Sequence, residues 1–199
     1  MKKAILYIHG KGGNALEAER YRESWPDFTV TGVDYRGEFP WLAGEDIRRA
    51  YDLLRKEHTR ITVLANSIGA YFAMHALEDR EVERALFISP ILDMERLILD
   101  MMSWAHVTER ELREKGEIPT EFGETLSWSY LRFVREHPIR WKPHTEILYG
   151  DGDHLTSRET VEAFLKTHDA ALTVMKGGEH WFHTEAQLAF LDDWMRKAL

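Results

Sequence analysis

Six short apolar runs punctuate the chain: Ala4 to Ile8, Phe28 to Val33, Ile61 to Ala65, Ala85 to Ser89, Glu146 to Tyr149 and Leu172 to Met175. Each has the length and the β-branched or aromatic content of a buried strand. Between most of them apolar positions recur at helical spacing, as with Ile47, Tyr51 and Leu54 after the second run and Val161, Phe164 and Leu165 after the fifth. Two helix starts are marked by a capping pair, Thr156 with Glu159 and Thr184 with Gln187. Such a pair satisfies the orphan N–H groups of a first turn. After Thr184, the positions Leu188, Leu191 and Met195 fall on one helix face. Buried strands alternating with amphipathic helices predict an α/β fold: an open, mostly parallel six-stranded sheet with helices on both faces and right-handed crossovers.

One segment breaks this alternation. From Ile91 to Lys142 no convincing strand occurs, yet large apolar residues are frequent: Met94, Leu97, Ile98, Met101, Met102, Trp104, Trp128, Tyr130 and Trp141. A connection of this length needs structure of its own, so residues 91–142 are expected to form a helical cap insertion within a single domain spanning 1–199.

Composition narrows the class. A chain of 199 residues with 44% hydrophobic and 30% charged residues is globular and has room for one core. No stretch of about eighteen apolar residues occurs and the first run is too short for a signal-peptide core, so a soluble cytoplasmic protein is expected. The absence of cysteine excludes disulfides, thiolate zinc sites and a cysteine nucleophile. A net charge of −8, with no basic block, argues against nucleic acid and anionic membrane as partners.

The candidate chemistry lies where strands end. The third run leads into Ala65-Asn66-Ser67-Ile68-Gly69 and then directly into a helical segment. A sharp strand-to-helix turn strains its central residue and closes only when the residues two before and two after are small, as Ala65 and Gly69 are. Such a turn lifts the Ser67 hydroxyl above the sheet and sets the Ile68 N–H at a helix start, where it can donate to a developing oxyanion. The plainer alternative is a solvated serine in an ordinary loop. After the first run comes His9-Gly10-Lys11-Gly12-Gly13-Asn14, whose glycines permit close approach to the main chain. The N–H of Lys11 or Gly12 is therefore the candidate second oxyanion donor. Gly10, Gly12 and Ala15 also fit the dinucleotide-binding turn, with Asp34 at the end of the second strand to meet a ribose. The fifth run enters Gly150-Asp151-Gly152-Asp153-His154 and the sixth enters Gly177-Gly178-Glu179-His180-Trp181. An acid after one strand and a histidine after the next complete a Ser, Asp, His series in chain order. The dinucleotide reading accounts for neither loop.

These motifs resemble the α/β-hydrolase superfamily over nearly the whole chain, close to its short single-domain serine esterases. Gly150 and Asp153 match that family's G-x-x-D acid loop, and Gly177-Gly178-Glu179-His180 its histidine loop. Asp34-Tyr35-Arg36-Gly37 is similar to its D-x-R-G segment, which implies a structural role for Asp34 instead of a ribose contact. The chain departs from the family pattern where Ala65 replaces the usual glycine, and it lacks the family's first two strands. The resemblance implies a strand order of 2-1-3-4-5-6 in this chain's own counting. That order reverses between the first and third strands, the place where open parallel sheets bind ligands.

The implied activity is acyl transfer to water, with a carboxylic ester of small or apolar character as the first expectation. Amide, peptide and thioester bonds are open to the same constellation. Ser67 is the expected nucleophile, His180 the general base and Asp153 the acid that orients it. Asp151 is the main rival for the acid and Asp93 a remoter one, while His183 and His154 rival His180. No cofactor is required, and the scattered histidines offer no metal site. Trp104 and Trp128 of the insertion are the candidate substrate contacts, although such residues more often serve plain core. A non-catalytic binding protein on the same fold and a dinucleotide-dependent oxidoreductase remain the alternatives. The expected partner is a small ester-type substrate, and homo-oligomerisation is open.

Overall fold

In the computed structural model, which describes residues 2–198, the chain forms eight strands. They are β1 (Lys3–Ile8), β2 (Phe28–Gly32), β3 (Arg60–Asn66), β4 (Arg84–Ile88), β5 (Glu117–Pro119), β6 (Thr125–Ser127), β7 (Thr145–Gly150) and β8 (Ala170–Met175). All but β5 and β6 join one sheet in the order β2-β1-β3-β4-β7-β8, with every pairing parallel. The six apolar runs are its six strands, in the expected order.

The helices are α1 (Glu19–Arg22), α2 (Pro40–Arg55), α3 (Ile68–Ala76), α4 (Met94–Trp104), α5 (Glu109–Lys115), α6 (Trp128–Glu136), α7 (Arg158–Thr167) and α8 (Glu185–Lys197), with a short 3-10 turn at Ala15–Ala18. Side chains alternate across a strand. On one face of the sheet, Ile5, Tyr7, Val30, Leu64, Leu86, Ile88 and Leu148 share a core with Tyr21 of α1, Trp25, and Leu191, Trp194 and Met195 of α8. On the other face the buried Ala4, Leu6, Ile8, Val63 and Ala65 lie where α2 and α3 pack on β1 and β3. Cover on both faces is why the central strands read as unbroken apolar runs. The edge strand β8 is only half-buried along its length.

Helix ends correct one expectation. The Thr184 and Gln187 box caps α8 as expected. The cap of α7 is instead Ser157, which accepts the Thr160 N–H, while the Thr156 hydroxyl donates to the Pro90 carbonyl at 3.0 Å. A buried carbonyl needs a donor, and Thr156 is committed to it.

The chain divides into two compact units, one made of the residues up to Leu92 together with those from Arg140 onward, the other Asp93–Ile139. The second is narrower than residues 91–142. Trp141 belongs to the first unit, where its ring lies 5.9 Å from that of Phe87 and its N–H donates to Thr145 Oγ1 at 2.8 Å. The second unit is not purely helical: β5 and β6 form an antiparallel hairpin between α5 and α6. Gly116 stops α5 at φ 77° and Gly123 turns the hairpin at φ 86°, conformations that glycine adopts without penalty. Within this unit Trp104 is 49% exposed and meets Phe122 edge-on, and Trp128 opens α6 half-buried. Among the described residues no helix is long and apolar enough to cross a membrane.

Candidate active site

The passage from β3 to α3 turns on a single residue. Ser67 stands at φ 53° and ψ −123°, a backbone region that a non-glycine residue occupies only when its surroundings impose it. Those surroundings are visible. The Ser67 N–H donates to Ile88 O of β4, and its carbonyl accepts from the N–H groups of Ala70 and Ile91. On the other side the turn is pressed against the end of β1: a Cβ on Gly69 would lie 2.3 Å from His9 O and 2.6 Å from Ile8 O. A Cβ on Gly10 would stand 3.2 Å from Ser67 Cβ. The small residues are thus required by backbone proximity.

Three of the sequence-predicted residues meet in one line of hydrogen bonds. Ser67 Oγ lies 2.8 Å from His180 Nε2, and His180 Nδ1 lies 2.7 Å from Asp153 Oδ2. The Asp153 side chain is fully buried, and its second oxygen accepts the N–H groups of Leu155 at 2.8 Å and Thr156 at 3.1 Å. With Nδ1–H donating its hydrogen bond to the carboxylate, Nε2 is left as the acceptor for the serine hydroxyl.

The acid and histidine loops are packed main chain to main chain. A Cβ on Gly150 would come within 2.4 Å of Gly178 backbone atoms, and the Gly152 N–H donates to Gly178 O at 2.8 Å. Asp151, the rival acid, spends a carboxylate oxygen on the Gly177 N–H at 2.5 Å and so ties the two loops together. Asp93 caps α4 in the second unit. His154 is exposed, and His183 stacks on Trp181 with its Nδ1 2.8 Å from Trp181 O.

The glycine turn after β1 is closed by a bond from Gly13 N–H to Gly10 O at 3.1 Å, with Gly12 at φ 73°. Among the described residues neither the Gly12 N–H nor the Ile68 N–H, at the first position of α3, has a hydrogen-bond partner. His9 stacks on Tyr35 at 4.1 Å, and the Tyr35 hydroxyl donates to His9 O at 2.8 Å. Burial, with the Glu17 charge nearby, pushes the Tyr35 phenol up, so it stays a donor. Asp34 is exposed; Tyr35 is the residue of that segment that reaches the turn.

Sequence reasoning missed Glu17. With Asn14 it forms a capping box, and its carboxylate accepts the Asn14 N–H at 3.2 Å. The Asn-x-x-Glu spacing was the available signal. A carboxylate there takes the first-turn donor that a pyrophosphate would need, and the turn leads into short helical pieces instead of a long helix. Both features disfavour dinucleotide binding.

No protein-family model and no curated protein matches the sequence. Solved structures do match in shape. Est1E from Butyrivibrio proteoclasticus superposes with a TM-score of 0.78 at 18% identity, over 99% of this chain and 86% of that one. Alpha/beta hydrolase domain-containing protein 10 from mouse gives 0.75 at 16%, over 98% and 88%. An esterase from Pyrococcus furiosus gives 0.65 at 18%, over 99% and 80%. Sheet order and backbone correspondence over nearly the full length agree: the chain has the α/β-hydrolase fold.

Proposed function

We propose that the protein is a serine hydrolase acting by acyl transfer to water, with a carboxylic ester as the preferred substrate. The observation that carries this reading is the hydrogen-bonded line from Ser67 through His180 to the buried Asp153, starting at a residue held at φ 53°. His180 Nε2 takes the Ser67 proton as Oγ attacks the carbonyl carbon, and Asp153 stabilises the imidazolium that forms. The carbonyl oxygen gains negative charge and is met by the N–H of Ile68 and an N–H of the Lys11 and Gly12 turn. The imidazolium then protonates the leaving alcohol, and water repeats the cycle on the acyl-enzyme. The esterases among the structural neighbours support the choice of an ester.

A fluorophosphonate probe tests the reading, because only an activated serine attacks its phosphorus readily. Wild type should be labelled and Ser67→Ala should not; persistent labelling of Ser67→Ala would place the nucleophile elsewhere. A panel of chromogenic esters, thioesters and amides then ranks the bond types, and an amide or thioester preference would overturn the ester assignment.

A further inference from the structure

The glycine turn is fastened to the core by a pair of side chains that the proposed mechanism does not use. Tyr7, in the middle of the sheet and 1% exposed, donates its hydroxyl to Glu17 Oε2 at 2.6 Å. Glu17 Oε1 accepts the Asn14 N–H at 3.2 Å, at the far end of the turn. The same carboxylate lies against Gly13, where a Cβ would stand 2.6 Å from Oε1. Against the larger upward push of burial, the side chain of Asn66, the residue immediately before Ser67, pulls the Tyr7 pKa down. Burial, first of all, keeps this phenol protonated and therefore a donor.

A line of hydrogen bonds thus runs from Tyr7 in β1 through Glu17 to the turn that carries Gly12. Its position is unusual for its charge. A carboxylate this close to a developing oxyanion opposes it by Coulomb repulsion, so a role in stabilising that charge directly is ruled out by sign. What the carboxylate can do is geometric. Its two oxygens reach two elements at once, and an acceptor lost from such a half-buried network leaves donors unsatisfied. An oxyanion donor acts only when it stands 2.7–3.1 Å from the point the oxygen will reach.

Resting on the serine-hydrolase reading, we propose that Glu17, held by Tyr7, is a positioning residue that sets the glycine turn at its working distance from Ser67. Three variants test it: Glu17→Ala, which removes both acceptors; Tyr7→Phe, which releases one arm; and Glu17→Gln, which keeps size and the acceptor for Asn14. The first readout needs no activity. Amide hydrogen exchange at Gly13 and Asn14, the hydrogen-bonded amides of the turn, should quicken by about tenfold or more in Glu17→Ala and Tyr7→Phe, with the β7 and β8 amides unchanged. Unchanged exchange at the turn would overturn the proposal.

The second readout is kinetic. In Glu17→Ala, kcat should fall by about 10²-fold with KM nearly constant, and Glu17→Gln should recover most of the loss. The rate ratio between an ester and its thionoester should also shrink, since sulfur is the weaker acceptor and the ratio reports the oxyanion donors themselves. Loss of activity with an unaltered ratio would assign Glu17 to stability alone and overturn the proposal. A wild type that neither labels nor turns over would instead overturn the hydrolase reading, whatever the exchange pattern at the turn.

Discussion

Replacing Gly69 by alanine tests whether the serine turn is held by its closeness to β1. The new Cβ would stand 2.3 Å from His9 O and 2.6 Å from Ile8 O, both backbone atoms at the end of a buried strand that cannot rotate aside. The turn must retreat by about 0.7 Å to reach even the 3.0 Å limit of real Cβ contacts. Overpacking of this kind costs about 1–3 kcal/mol. The gain in helix propensity from glycine to alanine, about 1 kcal/mol, offsets part of it. A net loss of up to about 2 kcal/mol lowers Tm by up to about 8 °C in a chain of this size. Labelling should suffer more, because displacement of a nucleophile by a sizeable fraction of an ångström costs up to about 10²-fold. Gly44→Ala in α2 is the matched control, since its Cβ meets only the mobile end of Arg48 at 3.2 Å. That variant should be neutral or more stable. Thermal unfolding and fluorophosphonate labelling of both variants decide the matter. A Gly69→Ala protein with unaltered Tm and labelling rate would refute the steric argument.

Two further outcomes follow from the loops and from the sheet edge. Asp153→Asn should lower kcat by about 10⁴-fold, whereas Asp151→Asn, which only loosens the bond to Gly177, should stay within about tenfold of wild type in the same ester assay; the reverse ranking would move the acid to Asp151. His144 lies between Asp169 and Glu146, whose hydrogen bonds raise its pKa in the folded state. Its stabilising contribution is therefore fully present below the unfolded pKa and is lost as pH rises through the folded one. The urea midpoint of His144→Gln should fall below that of wild type at about pH 5 and converge with it by about pH 9. A gap of constant size would contradict the assignment.

The strands were legible because burial on both faces leaves an apolar run that few other arrangements produce, and their order was implied by the resemblance to the α/β-hydrolase superfamily. Other features were hidden for identifiable reasons. The Thr156 and Glu159 spacing satisfies a capping pattern, but the Thr156 hydroxyl is committed to Pro90 O, 66 residues away, and pattern alone cannot see that demand. Strands as short as β5 and β6 carry too few residues for alternation to register, and one of them ends in a proline. Asn14 and Glu17 show the same spacing as Thr184 and Gln187, yet only the fold brings Tyr7 to the free carboxylate oxygen. Asp151 and Asp153 are chemically alike and two positions apart; what separates them is which one faces His180 after the Gly150 and Gly178 backbones meet.

That meeting of Gly150 and Gly178 also bears on the order in which the site is assembled. Asp153 and His180 are 27 positions apart, joined by α7 and β8, and the two glycines lock this local loop pair shut. Ser67 is 113 positions from His180 and reaches it only once β3, β4 and β7 lie side by side. Shorter loops close at lower entropic cost, so the acid and imidazole are paired by the local half of the topology and the hydroxyl arrives by the long-range half. During synthesis the sequence of events is inverted: the serine turn emerges first and waits. On the proposed chemistry, a growing chain carries its nucleophile for most of its length without a base to activate it, and reactivity begins only when the final strand and helix are in place.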